Sequence, residues 1–226
     1  MIVNMDKNEI DKMFGAFNCV NLEVLLQLAG MDVTDDNVSK LKHEEETIKL
    51  VFQRLMNRIE NGDIEYFFSK VQNNNLDMYV ELLKNSTDKS IPNRLQILIE
   101  NNREKIANMD SNIYGIVDLI ILTKNSNYIK SIIDSKERRD ELDLTQREIF
   151  GLIKATKDSE YIKSIVDSKA KREELGLAAS QIFELIVGTN DSKYIKSIID
   201  SKEKREELGL DVRQIFELIV RTKDPD

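Results

Sequence analysis

The residues best suited to metal chemistry lie in the run His43-Glu44-Glu45-Glu46, because imidazole and carboxylate groups bind zinc. His43 is the only histidine among 226 residues, and the run lacks the spacing by which zinc enzymes place two histidines on one helix face. Runs of charge are most often solvated helix surfaces. The pattern therefore predicts an exposed helix and no metal site.

The sequence also lacks the pattern of a catalytic centre. Cys19, the only cysteine, has no histidine partner that can be placed, and it is predicted to be a small buried hydrophobic residue. The acidic residues follow helical surface patterns, with Lys or Arg three or four residues away. No glycine-rich phosphate loop or serine nucleophile motif is present. We expect a non-enzymatic protein with no cofactor, no catalytic or metal residues and no small-molecule substrate.

Composition restricts the compartment and the class of partner. A single cysteine excludes an intrachain disulfide and favours a reducing, intracellular compartment such as the cytoplasm. No apolar run approaches the roughly 18 residues of a membrane span, so we expect a soluble protein without a membrane partner. The net charge is −8. Dedicated nucleic-acid binders usually carry a strongly basic domain, which this chain lacks.

One phrase organises the second half of the chain. Tyr-Ile-Lys-Ser-Ile-(Ile/Val)-Asp-Ser begins at Tyr128, Tyr161 and Tyr194, at a constant spacing of 33 residues. A period of that size indicates an array of small structural repeats, each burying its apolar face against its neighbours. The sequence therefore predicts an all-α, right-handed superhelical solenoid of 33-residue helix-loop-helix repeats.

The repeat Leu177 to Gly209 shows how each copy is expected to fold. An apolar helix containing Ile182 and Ile186 precedes a turn-prone loop, and Asp191 is predicted to cap the next helix. Asn125 and Asp158 occupy the same place in earlier repeats. The second helix is predicted to continue without a break through residues 201–208, since that run holds strong helix formers. Gly209 then supplies a left-handed turn.

The organisation of the whole chain follows from this pattern. Residues 111–226 are predicted to form regular 33-residue repeats, the last of them incomplete. Residues 75–110 are expected to be a degenerate repeat and residues 1–74 a divergent helical N-terminal cap, because terminal repeats must expose one face to water. The tyrosine and isoleucine residues of the repeated phrase are predicted to pack between repeats, and its lysine is predicted to face outward.

The regular repeats resemble those of the transcription activator-like effectors and their bacterial relatives. The resemblance rests on Leu177 at the start, the Ile182-Phe183-x-Leu185-Ile186 helix, a short loop, a long second helix and a terminal Gly209. Ankyrin repeats share the 33-residue period, but their Thr-Pro-Leu-His start is absent here. If the chain is an effector, the resemblance also implies delivery into a host cell.

The resemblance implies duplex DNA binding through the loops, whose two variable residues would face the bases. The matching pairs are Leu122-Thr123, Ala155-Thr156, Gly188-Thr189 and Arg221-Thr222. In the family a Gly-Gly follows and approaches phosphate. Here the following pairs are Lys124-Asn125, Lys157-Asp158, Asn190-Asp191 and Lys223-Asp224. The lysines suit a phosphate, whereas the aspartates repel one.

Two hypotheses of function follow. The leading one is a scaffold that binds a protein partner through the concave and loop face of the array; the alternative is duplex DNA binding. The candidate ligand contacts in either case are Leu122, Thr123, Lys124, Ala155, Thr156, Lys157, Gly188, Thr189, Asn190, Arg221, Thr222 and Lys223. For DNA, a stripe of lysines one repeat apart would contact phosphates: Lys130, Lys163 and Lys196.

Overall fold

The computed structural model of the chain describes residues 22–70, 76–108 and 115–222. All regular secondary structure in these ranges is α-helical, in 17 helices with no strand. The all-α fold class predicted from the sequence is thus confirmed. The chain divides into two compact bodies, an N-terminal body of Met1–Lys124 and a C-terminal body of Asn125–Asp226. The division falls inside the region of regular repeats.

The N-terminal body contains eight of the described helices. They are α1 (Leu22–Leu28), α2 (Asp35–His43), α3 (Glu45–Glu60), α4 (Ile64–Lys70), α5 (Leu76–Lys84), α6 (Ile91–Asn101), α7 (Arg103–Ala107) and α8 (Gly115–Leu122). Helix α5 packs against α3 and α8, and α6 also packs against α8. The segment described above as a degenerate repeat therefore contributes directly to the core of this body.

Aromatic side chains fill much of that core. Phe67, Phe68 and Tyr79 are fully buried, and the rings of Phe68 and Tyr79 lie 5.8 Å apart. The Tyr79 hydroxyl donates a hydrogen bond of 3.0 Å to the backbone oxygen of Ile64. This bond satisfies a polar group that would otherwise be costly to bury. Burial also raises the pKa of Tyr79, so its hydroxyl keeps its proton.

The C-terminal body contains nine helices. They are α9 (Ser126–Ile133), α10 (Lys136–Glu141), α11 (Gln146–Thr156), α12 (Ser159–Val166), α13 (Lys169–Glu174), α14 (Ala179–Gly188), α15 (Ser192–Ile199), α16 (Lys202–Glu207) and α17 (Val212–Thr222). Helix α9 packs against α11, α12 against α14, and α15 against α17. The second helix of each repeat thus packs against the first helix of the next repeat.

The predicted caps of the second helices are confirmed. The side chains of Asn125, Asp158 and Asp191 accept hydrogen bonds of 3.0–3.1 Å from the backbone N–H three residues later. Each bond satisfies one of the donors left free at a helix start. The first turn of α9, α12 and α15 is fixed in this way.

The predicted continuous second helix is wrong. Each second helix ends at Ile133, Val166 or Ile199, and a separate helix of six residues follows. The serine between them is the physical reason for the break. Its hydroxyl accepts a hydrogen bond of 3.2–3.3 Å from the backbone N–H three residues later, in Ser135, Ser168 and Ser201 alike. An N-cap in this position starts a new helix, so a full repeat contains three helices.

A residue in the left-handed conformation ends each six-residue helix. Gly176 has φ of +66° and Gly209 has φ of +68°, as predicted for Gly209. In the first repeat the same position holds Asp143 at φ of +49°. Glycine adopts this conformation without a steric penalty, whereas Asp does so at some cost.

Candidate functional surface

The candidate functional surface consists of the interhelix loops that follow the first helix of each repeat. Two of them join the first and second helices within the C-terminal body, at residues 155–158 and 188–191. The loop at residues 122–125 lies at the division between the two bodies, and the structure describes only Arg221 and Thr222 of the fourth, residues 221–224. The first three positions of each loop differ from one another in solvent exposure. The first is half-buried or exposed, the second is a threonine, and the third is exposed in the first three repeats. Lys223 and Asp224 of the fourth loop lie outside the described residues.

The threonine of each loop is a structural residue. Its hydroxyl donates to the carbonyl oxygen three residues earlier at 2.6–2.7 Å, and the side chain is buried in three repeats: Thr123, Thr156 and Thr189. In two of them the hydroxyl oxygen also accepts from the backbone N–H of the capping aspartate, at 3.4 Å. These three threonines are closed to a ligand in this conformation, which corrects their assignment as contacts. Thr222 bonds to Ile219 in the same way, at 2.7 Å.

The residue after the threonine stands at the tip of the loop. Lys124, Lys157 and Asn190 are all exposed, and all three have φ of +50°. The left-handed conformation turns the chain sharply from the first helix toward the cap of the second. These are the loop side chains that the structure leaves most accessible to a partner.

The residue before the threonine differs most from repeat to repeat. Leu122 and Ala155 are half-buried, while Gly188 and Arg221 are exposed. A Cβ added at Gly188 would meet no atom within 4 Å, so this position opens onto free space. Arg221 forms an ion pair of 2.8 Å with Glu217 one turn earlier. The loops therefore combine a constant threonine, buried in three of them, with a preceding position that varies in side chain and is exposed at Gly188 and Arg221.

The lysine stripe is engaged in contacts between repeats. The Lys130 ammonium lies 2.5 Å from the Asp158 carboxylate of the next repeat, and Lys163 lies 2.6 Å from Asp191. Lys130 also lies 5.3 Å from the ring centre of Tyr161. Lysine in this arrangement holds the cap of the following helix, so it bridges consecutive repeats. Lys196, at the same position in the third repeat, lies exposed on α15.

Three side chains of these ion pairs, Asp158, Asp191 and Lys163, have shifted pKa values. Hydrogen bonds from the lysine, and then from the backbone N–H groups of the capped helix, lower the pKa of Asp158 and of Asp191. Hydrogen bonds to Asp191 and Glu160 raise the pKa of Lys163. The charged forms therefore persist across a wider pH range than those of isolated side chains.

Tyrosine provides a second bridge between repeats, where the sequence analysis expected only packing. The hydroxyl groups of Tyr161 and Tyr194 donate at 3.1 Å to Asp134 and Asp167 of the preceding repeat. Lys171 also approaches Asp134, at 3.3 Å. Burial, followed by the neighbouring carboxylate, raises the pKa of both tyrosines. Each ring lies beside a lysine of the preceding repeat, Lys130 at Tyr161 and Lys163 at Tyr194.

A third bridge was not predicted. The guanidinium groups of Arg139 and Arg172 are buried, and each donates to a backbone carbonyl at the end of its own second helix, that of Ile133 or Val166. Each also lies 2.6 Å from a glutamate of the next repeat, Glu174 or Glu207. The signal was present in the sequence, because this arginine recurs every 33 residues together with the glutamate two positions after it.

The remaining candidates for chemistry are exposed or lie outside the described ranges. His43 ends α2 as an exposed residue, and Cys19 lies outside the described residues. Within residues 22–70, 76–108 and 115–222, no group of three His, Cys, Asp or Glu side chains could hold a metal ion. In the same ranges, no helix is both long and apolar enough to cross a membrane. Comparisons with protein families, characterised proteins and solved structures give no match.

Proposed function

We propose that the chain is a non-enzymatic scaffold, a right-handed superhelical solenoid of 33-residue repeats that binds a protein partner through its concave and loop face. Residues 1–74 would form its N-terminal cap, residues 75–110 a degenerate repeat and residues 111–226 the regular array. One observation carries the proposal. Four recurring cations, Lys130, Lys163, Arg139 and Arg172, pair with carboxylates of the next repeat, and the exposed loop positions Lys157, Gly188 and Asn190 differ from repeat to repeat.

The pairing of the lysines favours a protein partner over DNA. Lys130 and Lys163 are each already paired with an aspartate that also caps a helix, so a phosphate would compete with that carboxylate for the ammonium group. The aspartates themselves carry negative charge at the place where a phosphate would approach. DNA affinity depends on lysines and arginines that are available to neutralise phosphates. Two of the three lysines of the stripe, Lys130 and Lys163, are already neutralised by aspartates and contribute little of this energy.

The variable loop positions supply the positive argument. In a repeat array, constant residues maintain the stacking and the remaining surface is free to differ. Ala155, Gly188 and Arg221 differ in size and charge while occupying one position of the loop. Their neighbours Lys157 and Asn190 are exposed in the same backbone conformation. Such a row of unlike side chains suits a protein surface, which is itself irregular in shape and charge.

Loop variants test this proposal. The full chain, immobilised as bait, should retain a protein partner from cells of its source, and both Lys157→Glu and Gly188→Arg should weaken the capture. Gly188→Arg leaves the fold intact because the space beyond Gly188 is open. Lys169→Glu is the matched control, since Lys169 is exposed on α13 away from the loops. Capture that survives both loop variants, or that the control abolishes equally, would contradict binding through the loops.

Duplex DNA binding is the second candidate, supported by the exposed loop lysines Lys124 and Lys157. Its test is a titration with random-sequence duplex at about 50 mM salt, where the phosphate contribution is large. We expect no binding. Binding that weakens steeply as salt is raised, and that Lys124→Ala and Lys157→Ala diminish, would establish the DNA function and exclude the protein scaffold as the primary role.

A further inference from the structure

Two lysines carry the unpaired charge of the interhelix loops within the C-terminal body. Lys157 stands at the tip of the loop at residues 155–158, and Lys193 follows the loop at residues 188–191; both are exposed. In the part of the chain that the structure describes, neither lysine forms an ion pair. The carboxylates of these two loops and of the helix turns beside them are all paired with other lysines: Asp158, Glu160, Glu184 and Asp191. The charge left uncompensated at these loops is therefore positive.

The backbone at Lys157 is unfavourable for a lysine. Lys157 has φ of +50°, a left-handed conformation that glycine and asparagine adopt more readily than a lysine does. Asn190 occupies the same place in the next repeat, also at φ of +50°. A cation at the end of a helix is favoured by the helix dipole, but α14 ends without a basic residue in its last turn. The local structure therefore does not require a lysine at this position.

Lys193 also opposes the local preference of its helix. It is the second residue of α15, where the positive end of the helix dipole makes a cation unfavourable. Glu160 occupies the same place in α12, where a carboxylate is favoured and pairs with Lys163 at 2.6 Å. Residues that break a local rule without a compensating contact are expected at functional sites. Lys157 and Lys193 both meet this description.

The two loops lie side by side. The Ser159 hydroxyl, in the first turn of α12, donates at 3.3 Å to the Thr189 carbonyl oxygen in the next loop, and α11 packs against α14. Helices in direct contact lie about 8–10 Å apart. An extended polyproline II segment presents every third side chain on one side, about 9 Å apart, so its repeat matches the step between the loops. Gly188 leaves room for such a segment, since an added Cβ would meet no atom within 4 Å.

We propose that these two loops bind an extended, acidic segment of a protein partner, whose carboxylates lie about three residues apart and contact Lys157 and Lys193. This inference rests on the proposed scaffold function and specifies the chemistry of its partner. Two free cations suit a short segment that carries a few carboxylates. Duplex DNA depends for its affinity on the number of phosphates that cations neutralise, so two lysines contribute little to it.

Titration of the full chain with two synthetic peptides, followed by nuclear magnetic resonance, tests the proposal. One peptide carries glutamate at every third residue, and the other carries glutamine in its place. At about 50 mM salt, where screening is weak, the glutamate peptide should shift the amide signals of residues 155–158 and 188–193, and the glutamine peptide should shift none. Random-sequence duplex DNA is the third probe. Binding of the duplex that is tighter than that of the glutamate peptide would assign the loops to nucleic acid and overturn the proposal.

Substitutions that suit the fold separate binding from structure. Lys157→Gly and Lys193→Glu remove one cation each and supply a residue that the local backbone favours, so the free energy of unfolding should be unchanged or raised. Lys157→Gly should nevertheless weaken binding of the glutamate peptide by about two- to fivefold, the factor for one exposed ion pair. Lys193→Glu should weaken it further, because it adds a repulsive charge. Asn190→Gly is the matched control, since it changes the same loop position without removing a charge, and binding should be unchanged.

The outcomes distinguish this inference from the scaffold function on which it rests. Equal binding of the two peptides, or binding that Lys157→Gly and Lys193→Glu both leave intact, would overturn the acidic partner. Absence of binding by the glutamate peptide would also overturn it. If the loop variants still weakened capture of a cellular protein in that case, the scaffold function would stand with a partner of different chemistry.

Discussion

At the residue scale, several of the recurring charged side chains form ion pairs with the next repeat. Lys163 illustrates this, because its ammonium pairs with the aspartate that caps the next helix and lies over the ring of Tyr194 at 5.5 Å. A lysine inside a repeated phrase resembles a recognition residue when only the sequence is considered. The partner of Lys163 is Asp191, 28 residues further along the chain, so the spacing of residues within one helix could not identify it.

The capping aspartates give the protein a specific sensitivity to acid. The pKa of Asp158 lies below its ordinary value, first because Lys130 donates to it and then because the Tyr161 backbone N–H does. A group whose pKa is lowered by folding stabilises the fold above its unfolded pKa of about 3.9, and loses that contribution as pH falls through the folded value. The contribution of these ion pairs to the free energy of unfolding should therefore be fully present at neutral pH and lost in acid.

Asp158→Asn isolates this effect, since Asn125 shows that asparagine caps the equivalent helix. We expect the variant to be less stable than the parent at pH 7, with a difference that shrinks as the pH falls below about 4. Urea unfolding across a pH series measures it, and Asp191→Asn should reproduce the result one repeat later. A difference that does not change with pH would show that the ion pair contributes nothing.

At the element scale, local rules predicted much of each repeat. The caps at Asn125, Asp158 and Asp191 and the left-handed turn at Gly209 follow from short patterns, and the structure has them. The break at Ser201 was missed because the residues after it are strong helix formers, and a serine cap competes with a continuous helix by only a small energy. The buried loop threonines were missed because their burial depends on packing between elements.

The serine caps should contribute measurably to stability. Ser168→Ala removes the hydroxyl that accepts from the Lys171 backbone N–H at 3.3 Å, and loss of such a cap typically costs about 1 kcal/mol. Ser180→Ala is the control, because Ser180 is exposed in the first turn of α14, where alanine is well tolerated. Both values come from urea unfolding. Equal effects of the two substitutions would mean that the hydroxyl does not start α13.

At the scale of the whole molecule, the proposed solenoid is held together by contacts that recur between neighbouring repeats. Three polar bridges repeat at 33-residue intervals, formed by lysine with aspartate, tyrosine with aspartate and arginine with glutamate. In such arrays stability is close to a sum of repeat and nearest-neighbour contributions. The 33-residue period predicts that each repeat is stabilised by its neighbours. Which side chains form the bridges could be read only from the three-dimensional contacts.

Removing one buried arginine–glutamate bridge should therefore make the repeats that follow it open more often. Arg172→Met leaves the Val166 carbonyl without its buried donor and separates Glu207 from its partner, for an expected cost of about 1–3 kcal/mol. Hydrogen exchange should rise in α14 to α17 more than in α9 to α12, because neighbouring repeats open as local units. Arg205→Met is the matched control, since Arg205 donates to the Ile199 carbonyl but is more exposed, and its effect should be smaller. Exchange that rises uniformly across the C-terminal body would show that its repeats unfold as one cooperative block.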